Sequence, residues 1–231
     1  MKGPAQFSLG FRTWGGARPG AGRPRSSKRV AHAERARISR HVPCHVTLRL
    51  VAGLPSLRSP RLFRLVRRAL GATRYARVVE YSVLSNHLHL IVEAEDARAL
   101  ARGVQSLSIR LAKRLNRFLR RSGGAFADRY HSRALRSPRE VRNALVYVLN
   151  NFRKHVDQSG PRLPLSFLDP CSSAGFFDGW DPEWTQAPPD RRAFRDPYPH
   201  LPRASVPARS FLLRRAWRKH GLLRPFELTA P

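Results

Sequence analysis

The chain has 231 residues, and its 44 Lys and Arg against 15 Asp and Glu give a formal net charge of +29. The 42% apolar and 9% aromatic content can bury one ordinary core, but self-repulsion at this charge weakens a compact state unless a polyanion neutralises it. Acidic metabolic enzymes, disulfide scaffolds and Cys-rich zinc domains are disfavoured, the last two because Cys44 and Cys171 are the only cysteines. No apolar run nears the roughly 20 residues of a membrane span.

Residues 1–40 carry ten bases, one acid (Glu34) and six glycines, and read as a basic flexible arm. Within it, Gly22-Arg23-Pro24-Arg25 looks like an AT-hook core, in which Arg23 and Arg25 would enter a narrow A·T-rich minor groove; a plain solvated arm accounts for it equally well. The 41–157 segment is periodic. His45-Val46-Thr47-Leu48-Arg49-Leu50-Val51 alternates as a strand, and Ser59-Pro60 opens an amphipathic helix to Leu70 with Phe63, Val66 and Leu70 on one side. Arg77 to Leu84 and His87 to Glu93 are β-rich runs split by Ser85-Asn86, a hairpin signal.

A long helix is expected from the N-cap Asp96 to about Arg121, burying Leu100, Val104, Leu107, Leu111, Leu115 and Phe118. Phe126 to Leu135 should supply a fourth strand or extended segment. Ser137-Pro138-Arg139-Glu140 then caps a last helix running to about His155, with Val141, Leu145, Val148 and Phe152 inward. The order β-α-β-β-α-β-α predicts an α+β fold of ferredoxin-like or RRM-like plan, with an antiparallel sheet and helices packed on one of its faces. Residues 158–231 hold 12 of the 19 prolines and read as a partly docked extension, anchored by Phe176, Phe177, Trp180 and Trp184, with a short basic helix at Ser210 to His220.

Two features could carry chemistry. In Asn86-His87-Leu88-His89-Leu90-Ile91-Val92-Glu93, strand geometry puts His87 and His89 on one face, a bidentate metal-ligand pair or simply two polar residues on a solvated face. On the last helix, Tyr147 and Asn151 stack four residues apart, a candidate nucleophile and hard ligand, or a core tyrosine beside a polar neighbour. Their combination in one chain is what favours chemistry.

These residues resemble a known family. His87-Leu88-His89 is similar to the His-hydrophobic-His signature of single-tyrosine HUH transposases, and Tyr147-Val148-Leu149-Asn150-Asn151-Phe152-Arg153-Lys154-His155 resembles the catalytic helix of the REP-associated tyrosine transposase branch. The strand from His45 and the segment Phe126-Ala127-Asp128-Arg129-Tyr130-His131 extend the similarity over about 41–157. Branch members often have Asn-Pro where this chain has Asn151-Phe152, which bears on where the helix ends. The resemblance implies Mg²⁺ or Mn²⁺ held by His87, His89 and Asn151, with Tyr147 attacking single-stranded DNA beside a REP-like hairpin to form a 5′-phosphotyrosine. It is compatible with a monomer or a homodimer; with no apolar span or signal core in the sequence, the default compartment is the cytoplasm, with nucleoid association and no membrane partner.

Around that core, Asp128, His131 and Glu93 are candidate accessory groups. Arg110, Lys113, Arg114, Arg117 and Arg121, continued by Arg129 and Arg133, are expected to contact phosphates, because nothing acidic interrupts the charge between Asp96 and Asp128. Two other readings remain open: a non-catalytic nucleic-acid-binding protein that keeps the transposase fold, and an unrelated metallohydrolase built on the His pair.

Overall fold

A computed structural model describes residues 38–160, 163–185, 196 and 198–228. The basic arm, with Arg23 and Arg25, lies outside the described residues. The elements follow the expected order: β1 (Cys44–Arg49), α1 (Pro60–Gly71), β2 (Arg77–Val83), β3 (His87–Glu93), α2 (Ala97–Phe118), β4 (His131–Ala134) and α3 (Pro138–Ser159). The strands form one antiparallel sheet in the order β2-β3-β1-β4. The protein is thus α+β, with a four-stranded antiparallel sheet and helices packed on it.

Alternation along the strands divides the molecule into two apolar layers. Val46, Leu48, Leu88, Leu90 and Val92 point to one face, where they meet Leu62, Phe63, Val66 and Leu70 of α1 and Leu100, Val104, Leu107, Leu111 and Leu115 of α2. Val79 and Ile91 point to the other, against Val141, Leu145, Val148 and Leu149 of α3 and Trp180, Leu213 and Trp217 further on. The helices therefore cover both faces, not one. A sequence period shows that a helix has a buried stripe, but not which face of the sheet that stripe meets. The register of β2 shifts between Val78 and Glu80, so the bulged Val79 joins the α3 layer while Val78 stays in the other.

Several boundaries move. The α2 helix stops at Phe118, three residues early, because Arg120 takes a left-handed conformation (φ 50°) and the Arg121 N–H donates to the Asn116 carbonyl, a Schellman-type ending. Phe118 lies in that last turn and is 43% exposed, so it leaves the expected buried stripe. Only His131–Ala134 of the expected fourth strand pairs regularly with β1. The α3 helix carries the expected capping box, Ser137 with Glu140. It continues four residues past His155, since Phe152 leaves no proline to stop it.

The described part of the C-terminal extension is bound closely. Cys171 O accepts from Val83 N, and Val78 O accepts from Val206 N, so the outer edge of β2 is covered on both sides of its bulge. Near the chain end, α4 (Pro182–Thr185), α5 (Phe211–Arg214) and a 3-10 turn (Ala216–His220) follow. Trp217 of that turn is buried against the α3 layer. The expected basic helix at 210–220 is thus present in two pieces, broken at Arg215. No helix among the described residues is long and apolar enough to cross a membrane.

Candidate active site

Antiparallel pairing aligns three residues of β1 with the histidine strand: Arg49 with His87, Thr47 with His89, and His45 with Ile91. All point to the α3 side, and β4 adds His131 opposite Thr47 and Arg133 opposite His45. The α3 helix presents Tyr147, Asn151 and His155 at four-residue spacing, one above another on one side. The Tyr147 ring meets His89 edge-on at 5.0 Å between centroids and His45 at 5.5 Å. The His87 ring is 4.8 Å from His89 and 6.0 Å from His155. Asn151, 2% exposed, lies on the helix between Tyr147 and His155.

The imidazoles are oriented through one ring nitrogen each. His87 Nδ1 pairs with Asn86 Oδ1 at 2.8 Å. His89 Nδ1 lies 3.2 Å from both Thr47 Oγ1 and His45 Nε2. Fixing Nδ1 in this way leaves Nε2 to act outward, as in the outer shell of metal-bound histidines. Burial holds all three rings neutral. It lowers His89 to about 3, helped by His45, His87 and His155, and His45 to about 4, helped by His131 and Arg133; His87 is lowered by burial, then by His155 and Arg49. Neutral imidazole is the ligating form.

Buried polar atoms beside the histidines lack a hydrogen-bond partner among the described residues: His89 Nε2, Asn151 Nδ2 and Ser82 Oγ, whose residue pairs with His89 in register. Unpaired buried polar atoms cost free energy, so the cluster suits a polar or charged guest. A half-turn of the Asn151 amide would present Oδ1, a hard ligand, in place of Nδ2. Residues of this chemistry fit a divalent cation, although no three His, Cys, Asp or Glu side chains among the described residues are gathered as a ready metal cage.

The accessory candidates divide. His131 is exposed at the site's edge on β4, close enough in charge to lower His45. Asp128 is exposed and accepts from the Arg129 backbone N–H, closing a local turn. Glu93 is not a partner of the histidines. Its buried carboxylate accepts from the N–H groups of Arg209 and Ser210 at 2.8–3.0 Å, anchoring the start of α5. Strand alternation put it on the histidine face correctly, but the sequence could not show that the extension reaches that end of β3.

The expected phosphate-binding row falls on two sides of the sheet. Arg110, Lys113, Arg114, Arg117 and Arg121 belong to α2 and its end, in the layer opposite Tyr147. Arg110 donates to Ala69 O and Ser106 Oγ, and Arg121 to Asn116 Oδ1 and Gly124 O; Lys113 and Arg117 stay exposed. Arg133 is on the Tyr147 side, paired with Glu140 at 3.0 Å. Arg129 precedes β4 and is exposed. The structure adds to the site four residues to which the sequence assigned no role: His45, Thr47, Arg49 and His155. The alternation of β1 does mark the first three as sharing a face, but only the pairing with β3 turns that face toward Tyr147.

No protein-family model matches the chain, and no curated protein matches it. Among solved structures it is similar to a REP-associated tyrosine transposase bound to a REP hairpin, at 17% identity and a TM-score of 0.43, over 55% of this chain and 74% of that one. The chemistry of the site therefore has to be read from its own residues.

Proposed function

We propose that this protein is a metal-dependent tyrosine endonuclease and strand transferase acting on single-stranded DNA next to a hairpin, as in DNA transposition. The observation that carries the reading is the contact of the Tyr147 ring with His89, itself packed against His87. A tyrosine that served the core alone would not need two oriented, neutral imidazoles beside its ring. The order of the His87-Leu88-His89 and Tyr147-to-His155 motifs, and the overall charge of +29, support the same reading.

A divalent cation, Mg²⁺ or Mn²⁺, held by His87, His89 and Asn151 would supply Lewis-acid polarisation of the scissile phosphate. Asn86, Thr47 and His45 keep the His87 and His89 rings in their ligating orientation. Tyr147 attacks phosphorus through its phenolic oxygen, giving a 5′-phosphotyrosine and a free 3′-hydroxyl; this keeps the phosphodiester energy for rejoining. A phenol needs help to ionise at neutral pH, and the polarisation a bound cation would supply, together with the Arg49 and Arg133 charges beside the histidines, favours the phenolate. Arg49 and Arg133 flank the histidines and hold the strand by its phosphates. The α2 cations, on the far layer, would grip DNA away from the cleavage point.

The test is incubation of the protein with hairpin-tailed single-stranded DNA and Mn²⁺ or Mg²⁺, followed by denaturing electrophoresis. A covalent protein–DNA adduct is expected, absent with chelator, in Tyr147→Phe and in His87→Ala. Cleavage without an adduct would replace this reading with a metallohydrolase. Binding without cleavage would replace it with a nucleic-acid-binding module that keeps the fold.

A further inference from the structure

On the opposite flank of α3 from Tyr147 there is a second concave site. A cavity of about 640 Å³ opens between the β2 bulge, α3 and the C-terminal extension, with Val79, Leu145, Phe177 and Leu213 among its lining residues. It touches α3 at Leu145, two residues from Tyr147 and so some 200° round the helix, which keeps it apart from the histidine cluster. Its volume lies within the roughly 300–1,000 Å³ of ligand pockets, which are usually lined mainly by apolar groups. This one carries four arginines, Arg203, Arg214, Arg215 and Arg218, contributed by two separate stretches of the extension.

Two of these guanidiniums are held in place. Arg203 sits over the Phe176 ring at 4.5 Å, and Arg218 donates to Asp178 at 3.0 Å while lying over Trp217. Arg214 and Arg215 are exposed and have no carboxylate partner among the described residues. The acids present do little to cancel the charge. Asp178 is engaged by Arg218, and burial pushes Glu80 up to about 8, with Asp178 adding to the rise against a hydrogen bond from Ser173. Four arginines lining one cavity supply fork-shaped N–H donors of the kind that bind phosphate oxygens.

We infer that Arg203, Arg214, Arg215 and Arg218 form a second phosphate-binding site that takes a phosphodiester of the bound nucleic-acid strand, on the flank of α3 away from Tyr147. This rests on the DNA-binding part of the proposed function but not on Tyr147 chemistry. The protein therefore holds its DNA on both sides of α3, and the extension acts as part of the grip.

Binding of a fluorescein-labelled, hairpin-tailed oligonucleotide is measured by anisotropy between about 50 and 200 mM salt. Three proteins are compared: wild type, Arg214→Ala/Arg215→Ala, and Arg61→Ala/Arg68→Ala, which removes two exposed charges from α1 on the other layer. The pocket variant is expected to bind at least fivefold more weakly at the higher salt, with the slope of log K against log salt reduced by about 1.4–1.8. The α1 variant should change affinity less than twofold. Equal losses in both double variants would reduce the effect to general charge and overturn the site, as would unchanged binding in the pocket variant. ATP, used as a small phosphate probe, distinguishes the other source: Arg214/Arg215-dependent ATP binding with unaltered oligonucleotide binding also overturns it. Failure of wild type to form a covalent adduct would sink the catalytic reading alone, since binding is read without cleavage.

Discussion

Glu80 offers a test of how the β2 bulge and the arginine-lined cavity are built. The unfolded chain releases this proton near the ordinary value of 4.5, whereas the folded protein keeps it to about 8, because partial burial of its carboxyl at the cavity wall disfavours the charged form. Between those values the folded state binds more protons, so stability falls as pH rises; the contribution is fully present below 4.5, is lost up to about 8 and stays flat beyond. At 1.36 kcal/mol per pH unit the loss approaches 5 kcal/mol, and water entering at the cavity rim brings it to about 2–4 kcal/mol. The charged groups facing the site, Asp178, Arg203, Arg214, Arg215 and Arg218, are present on either side of the comparison. Glu80→Gln keeps the shape and the Ser173 contact but cannot ionise. Urea unfolding followed by Trp180 and Trp217 fluorescence, at pH 5, 6, 7 and 8, should show the variant gaining on wild type by about 2–4 kcal/mol across the series. His45 and His89 titrate in both proteins and cancel in the difference. A gap that does not widen with pH would refute the burial of the Glu80 carboxyl.

Two substitutions, one within α2 and one just past its C-terminal end, should act in opposite directions. Gly103→Ala places a Cβ 2.4 Å from Ala76 Cβ and 2.9 Å from the Ala76 backbone nitrogen, so the chain entering β2 must move. Despite the better helix propensity of alanine, a net loss of about 1–3 kcal/mol is expected in denaturant unfolding, and a gain would disprove the close crossing. Arg120→Gly relieves the left-handed residue that ends the same helix and should raise stability by about 0.5–1 kcal/mol, read as a higher melting temperature. A lower melting temperature there would mean that the Arg120 side chain stabilises more than its backbone conformation costs.

The parts of the fold that were legible in the sequence are those set by local chemistry. Alternation in His45 to Leu50 and His87 to Glu93, the Ser137–Glu140 capping box and the Asp96 N-cap each act within a few residues, and each element appears where those signals put it. What could not be read depends on contacts across the chain. The bulge at Val79, the early end of α2 at Arg120 and the second helical layer exist because of what packs against them, and no local period records that. Arg67 shows the limit well: nothing local on α1 marks it as buried, yet it is 2% exposed and paired with Asp196, 129 residues later.

The site divides along the same line, and the division says something about how it works. His87, His89, Tyr147 and Asn151 stood out because their spacing is local to one strand and one helix. Thr47 and His45, which hold His89, and Glu93, which holds the extension, serve partners distant in sequence. The β3 strand is thus used at both ends of one face: its first half presents His87 and His89 to Tyr147, and its last residue fixes the start of α5. Because α5 leads directly into Arg214, Arg215 and Arg218, the strand that positions the histidines also positions the arginines of the proposed second site. On the proposed function, a strand of DNA engaging both sites would be aligned by β3 alone, since its first half carries His87 and His89 and its last residue holds the start of α5.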